Sequence, residues 1–174
     1  MGTQAVKANS AGQWTSLNIW LHWLIVVLMA VQYLLTAEGM EKMYDAAQKG
    51  SAGPAGLFTL GNAHIAVGSA VLVAALIRLW DRYAYGRPDH SNFVPNWAHL
   101  LAKVTHFLLY ASLILLPVFG LLGWFLKNET FADLHHTGAE ILIYVIGLHV
   151  IGALVNQFWF KTDALRKIMP GYGR

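Results

Sequence analysis

Cysteine is absent from all 174 residues. That excludes disulfides, iron–sulfur clusters, thiolate-held metals and the C-x-x-C-H attachment of covalent haem, so any redox group must be held without sulfur. Charge is scarce too: Asp, Glu, Lys and Arg make up 12% of the chain, too little to clothe a soluble domain of this size. Nucleotide, flavin and phosphate motifs are missing, so dehydrogenase chemistry would have to come from a partner. The net charge of +3 is not gathered on one basic face; the basic residues fall between apolar runs, which argues against nucleic acid as a partner. Internal repeats and low-complexity segments are also lacking.

What the chain does have is apolar length. It is 56% hydrophobic, has a mean hydropathy of +0.46 and contains seven tryptophans, the composition of an integral membrane protein in contact with lipid. Residues 1–16 read as a short polar tail rather than a cleaved signal peptide. Four spans follow, at about 17–37, 57–80, 97–126 and 131–160, each long enough to cross a bilayer. Residues 38–56, ending at Gly53-Pro54, read as a loop, and Pro117 is expected to kink the third span. The expected architecture is all-α: one membrane domain over residues 1–174, an antiparallel four-transmembrane-helix bundle. With the N-terminus inside, nine basic residues (Lys7, Arg78, Arg82, Arg87, Lys103, Lys161, Arg166, Lys167, Arg174) face the cytoplasm, against Lys42, Lys49 and Lys127 outside. That bias places both termini in the cytoplasm.

The stretch from His135 to His149 organises the rest. Fourteen residues at about 100° each are nearly four whole turns, so both imidazoles leave one helix face, roughly 21 Å apart. They are too far apart to share one metal and well placed to serve two. His136 is thirteen residues from His149 and points elsewhere.

Antiparallel packing then brings His22, near the inner end of the first span, level with His149. It brings His64, near the outer end of the second, level with His135. Each pair can clamp one haem iron from both sides, a six-coordinate arrangement suited to electron transfer. Gly61 and Gly68 flank His64, Gly138 follows His135, and Gly147 and Gly152 bracket His149, giving a porphyrin room to lie. Such glycines also let helices pack closely. Four histidines inside hydrocarbon are costly without a function. His106 is at the depth of His149 and competes on geometry as an inner ligand; its other role is a hydrogen bond to a propionate or a quinone. His99 shares its face, and His90 reads as a solvated loop residue.

Leu21-His22-Trp23-Leu24, Gly68 with Arg78, His106-x-x-x-Tyr110, Pro117-x-x-Gly120, Gly147-Leu148-His149 and the Phe158-Trp159-Phe160-Lys161…Met169-Pro170 tail resemble the bacterial cytochrome b561 family over residues 14 to 170. The resemblance implies a two-haem b-type cytochrome of the bacterial inner membrane. Its iron ligands would be His22 and His149 for the inner haem, and His64 and His135 for the outer, leaving His106 without iron. The resemblance also implies exchange with ubiquinone, and superoxide as a donor in the small members. Here the chain departs from them: Glu38, Glu41, Asp45, Glu129 and Asp133 outnumber the three outer lysines, and a negative face does not steer an anion. The expected function is therefore transmembrane, quinone-linked electron transfer. Its variants are a superoxide:ubiquinone oxidoreductase acting alone, or a subunit docked to a dehydrogenase or hydrogenase; a non-redox scaffold ranks last. The quinone is expected in the inner half, near His99, His106, Asn156, Gln157 and Trp159, with His106 and Gln157 as contacts to quinone or propionate.

Overall fold

The computed structural model describes residues 14–51, 59–86 and 94–171. Every regular element among them is helical. α1 (Ser16–Val31) passes through a π-helical turn (Gln32–Thr36) directly into α2 (Ala37–Gln48). α3 (Leu60–Tyr85), α4 (Asn96–Phe125) and α5 (Glu129–Phe158) follow, and a short α6 (Ala164–Lys167) is the last helix among the described residues.

Local chemistry sets the helix starts. The side chains of Thr15, Thr59 and Asn128 each accept a hydrogen bond from the backbone N–H three residues on, at 3.0, 3.1 and 3.2 Å. Each satisfies one of the otherwise unpaired first-turn donors. α4 stays helical through Pro117. The turn into α5 is tight: Lys127 takes φ 51°, and Phe119 stacks on Phe131 at 5.9 Å.

Four helices are long and apolar enough to cross a membrane: α1 with its continuation to Gln48, α3, α4 and α5. At 1.5 Å per residue, the 26 to 30 residues of α3, α4 and α5 extend about 39–45 Å. That exceeds the roughly 30 Å hydrocarbon thickness. The packed interior is narrow, centred on Ile25, Val71, Ala74, Ala75 and Leu113 of α1, α3 and α4. The outer surface is apolar: Leu34, Phe107 and Tyr144 are 79%, 71% and 78% exposed. In water such a surface would aggregate; in lipid it is solvated.

The expected spans match these helices in number and order. The segment after Ala37 differs, because it is helical where a loop was expected. Its residues are good helix formers, Lys42–Glu38 and Lys49–Asp45 pair at i,i+4, and Met43 is buried where a Cβ on Gly61 of α3 would strike it. Gly53, Pro54, His90, Lys7, Arg87 and Arg174 lie outside the described residues.

The connectivity defines two ends. At the proximal end α1 begins, α3 ends, α4 begins and α5 ends; at the distal end α2 leads towards α3 and α4 turns into α5.

Candidate functional site

The histidine register follows from the helix phase. In the distal half, α3 carries His64 one turn from its start and α5 carries His135 in its second turn. Their rings lie 5.9 Å apart, edge to face. In the proximal half, His22 of α1 faces His149 of α5 with centroids 6.3 Å apart. Two metal–imidazole bonds of about 2 Å, one on each side of an ion, place ring centroids roughly 6 Å apart. Both separations therefore fit an iron held between paired imidazoles. No group of three or more His, Asp or Glu that could hold a metal ion converges among the described residues. The histidines meet here in couples.

Surrounding groups fix the distal pair. His135 Nδ1 lies 2.8 Å from the Leu116 carbonyl of α4. An N–H there donates to that oxygen and leaves Nε2 as the free lone pair, the usual way a ligating histidine is held. Gly120, one turn after Leu116, makes room for the ring. A Cβ at this position would sit 3.0 Å from His135 Nδ1 and 3.1 Å from Cε1. On the other side, Thr36 Oγ1 is 3.5 Å from His64 Nδ1 and donates to Gln32 (O at 3.1 Å, Oε1 at 3.2 Å). Gln32 Nε2 donates to the His64 carbonyl at 3.2 Å. Both residues belong to the π-helical turn, whose extra residue per turn lets Thr36 reach His64. Tyr33 in the same turn donates to the Ala139 carbonyl of α5 at 2.6 Å, tying α1 across the pair.

The proximal pair has a third neighbour. His106 of α4 stands 5.1 Å from His149, edge-on, with Nδ1 2.6 Å from its own helix's Ala102 carbonyl. That separation is about 1 Å shorter than two ligands across an ion require. His22 also packs against Trp23 at 5.3 Å, and Trp23 Nε1 donates to the Ile168 carbonyl just past α6. Below His22 lies a polar cluster formed by Thr15, Asn18, Arg78 and Asp81.

Other residues singled out by the sequence fall as follows. Asn156 donates to its own helix at Gly152 O, 2.8 Å, so this donor is engaged locally. Gln157 Oε1 is buried without a hydrogen-bond partner among the described residues. Trp97 and Phe160 meet at 6.4 Å, bringing the start of α4 to the end of α5, while Trp159 is exposed. Gly147 and Gly152 face open space. His136 and Glu140 are both exposed and lie 3.8 Å apart on the outside of α5. Replacing His136 by Ala, or Glu140 by Gln, should therefore leave pigment content unchanged. A drop in haem per chain for His136→Ala would contradict the helical phase.

Three features were missed: the π-helical turn with Thr36, the contact of Gly120 with His135, and the Asn18–Asp81 cluster. An asparagine and an aspartate inside apolar runs were the signal for the last. The first two carry no sequence signal that spacing alone can find.

A family model described as prokaryotic cytochrome b561 matches residues 13–171. A cytochrome b562 from Cereibacter sphaeroides is 31% identical over 156 residues, covering 90% of this chain and 94% of its own. Cytochrome b561 homolog 1 of Escherichia coli is 24% identical over 174 residues, covering 88% and 94%. A protein of Yersinia pestis named probable superoxide oxidase is 23% identical over 184 residues, covering 91% and 96%.

Proposed function

The chain belongs to the prokaryotic cytochrome b561 family of membrane electron-transfer proteins, and from that premise we propose that it is a two-haem b-type cytochrome linking an electron donor to the quinone pool. Residues 1–174 form one such domain, in the bacterial inner membrane. The observation that supports this reading is the pair of facing histidine couples at 6.3 and 5.9 Å. When bound, haem supplies one-electron redox chemistry. The residues do the rest. His22 and His149 would hold the inner iron, and His64 and His135 the outer. Leu116 O and Thr36 orient the outer imidazoles, and the apolar walls of α1, α3, α4 and α5 keep water away.

Among the described residues Arg78, Arg82, Lys103, Lys161, Arg166 and Lys167 gather at the proximal end, and Lys42, Lys49 and Lys127 at the distal end. That supports a cytoplasmic proximal end and cytoplasmic termini. The quinone belongs beside the inner pair. His106 is one ring away from His149, and the unpartnered Gln157 Oε1 on α5 is an acceptor for a quinol hydroxyl.

The donor side supports a second reading. Lys42 and Lys49 are each paired with a carboxylate of α2, leaving Lys127 against Glu41, Glu129 and Asp133 near the distal end. An acidic face suits a docked basic donor protein better than free superoxide, and favours an electron-transfer subunit over a superoxide oxidase acting alone.

A redox-difference spectrum of the purified protein, titrated with superoxide and with a quinol analogue, tests these readings together. Two haems per chain reduced by quinol are expected; one haem per chain would refute the two-site reading. Superoxide reducing the haems at a rate that falls at low salt fits the acidic face. His106→Phe should slow electron exchange with quinone about tenfold or more while both haems remain bound, and an unchanged rate removes His106 from the quinone site.

A further inference from the structure

One cluster is used neither by the histidine couples nor by the quinone site. Asn18 is wholly buried and Asp81 is 2% exposed. Asp81 Oδ2 accepts from Thr15 Oγ1 at 2.7 Å and from Asn18 Nδ2 at 3.0 Å. Asn18 Nδ2 also lies 3.3 Å from the Arg78 carbonyl, and Arg78 Nε donates to Asn18 Oδ1 at 3.1 Å. The guanidinia of Arg78 and Arg82 lie over the Tyr110 ring at 5.8 and 5.5 Å.

This arrangement holds a cation in place. Asn18 is a two-sided bracket: its amide nitrogen is fixed by Asp81 and its oxygen by Arg78. Among the described residues Nε makes the one hydrogen bond of the Arg78 guanidinium, so the fork of Nη groups is presented with one face covered by Tyr110. Two guanidinia meet one buried carboxylate, a local sum of +1. Asp81's hydrogen bonds go to neutral side chains rather than to either arginine. An uncompensated cation at the edge of a membrane bundle is costly, so the cluster calls for an anion. Its place says which one. Asn18 is one turn before His22 on the same face of α1, and Tyr110, under the Arg78 guanidinium, is one turn after His106, which meets His149. A planar fork matches a carboxylate bidentately.

We propose that Arg78, braced by Asn18, Asp81 and Thr15, is the binding site for a propionate carboxylate of the inner haem. The proposal rests on the two-haem reading above. It makes Arg78 a positioning residue, fixing the rotation of the ring about the His22–His149 axis as well as its affinity.

The test measures the rate at which haem leaves the detergent-solubilised holoprotein for an excess of an apo haem scavenger. The inner phase is identified by its absence in His149→Ala. Arg78→Gln should release inner haem at least tenfold faster than the unmutated protein, with the outer phase unchanged. When the protein is reconstituted with haem dimethyl ester, which lacks the carboxylates, the two should release it alike. Equal rates with natural haem would overturn the proposal. So would the same acceleration with the ester, which would show a purely structural role for Arg78. Should Arg78→Gln not accumulate, Arg78→Lys is read the same way, since it loses the fork and the Nε bond: faster loss of natural haem only supports the proposal, and anything else overturns it. An unmutated protein with one haem or none would defeat the two-haem reading instead, a different and recognisable outcome.

Discussion

His149→Ala should halve the pigment, from two haems per chain to one, and the remaining haem should keep its spectrum and potential. His149 is the one imidazole of α5 in the proximal half, and it faces His22 at 6.3 Å. The other couple lies fourteen residues away on the same helix, about 21 Å along its axis, so loss of one couple need not disturb the other. His106 makes the experiment informative. It stands 5.1 Å from His149, with the Ala102 carbonyl 2.6 Å from its Nδ1, and is the imidazole of α4 that meets His149. If His106 were a ligand in the unmutated protein, His106→Ala would halve the pigment as well. The expected pattern is loss of one haem for His22→Ala and His149→Ala, and none for His106→Ala. Haem per chain by alkaline pyridine spectra, at measured protein concentration, reads all three.

Much of the architecture was legible because a membrane imposes simple rules. Four apolar runs of span length, short connections and basic residues alternating between ends leave little but an antiparallel bundle. The facing of His22 with His149 and of His64 with His135 was legible for the same reason, since helix phase and antiparallel depth are arithmetic. Phase also turned His136 away from the face of His149, and the structure has it exposed.

The rest depended on information that spacing does not carry. Residues 38–56 were read as a loop because charge and glycine resemble a loop in a membrane sequence, yet Ala37–Gln48 is helical. Its helix is held by the Lys42–Glu38 and Lys49–Asp45 pairs and by Met43 packing on Gly61. Thr36 reaches His64 through a π-helical turn, and one extra residue in a turn leaves no mark in a sequence that is apolar on all sides. Arg78 was counted as a cytoplasmic marker, and its bracket by Asn18 becomes visible only when α1 and α3 are set side by side.

Glycine shows the same limit. The glycines beside the histidines were read together as room for a porphyrin, yet they differ. A Cβ on Gly138 would strike Leu116 and one on Gly61 would strike Met43, so these two serve helix packing, while Gly147 and Gly152 face open space. Gly120 is the one that touches a candidate ligand. Adding a methyl group there places carbon 3.0 Å from His135 Nδ1 and 3.1 Å from Cε1, closer than van der Waals contact allows. The ring would have to give by a few tenths of an ångström, lengthening the 2.8 Å approach of Nδ1 to Leu116 O. Disturbing such an outer partner of a metal ligand costs about 10- to 100-fold in affinity. Gly120→Ala should therefore keep the outer haem but release it about tenfold faster. Gly120→Val, with two further methyl groups against a ring already in contact, should lose it altogether. Haem per chain would fall from two to one, with the inner haem unmoved, so Gly120→Val would match His135→Ala in its spectrum. His136→Ala is the control, because its ring is exposed on the outside of α5, and it should retain both haems. If Gly120→Val kept two haems with unchanged release rates, His135 would not be the outer ligand in the orientation set by Leu116.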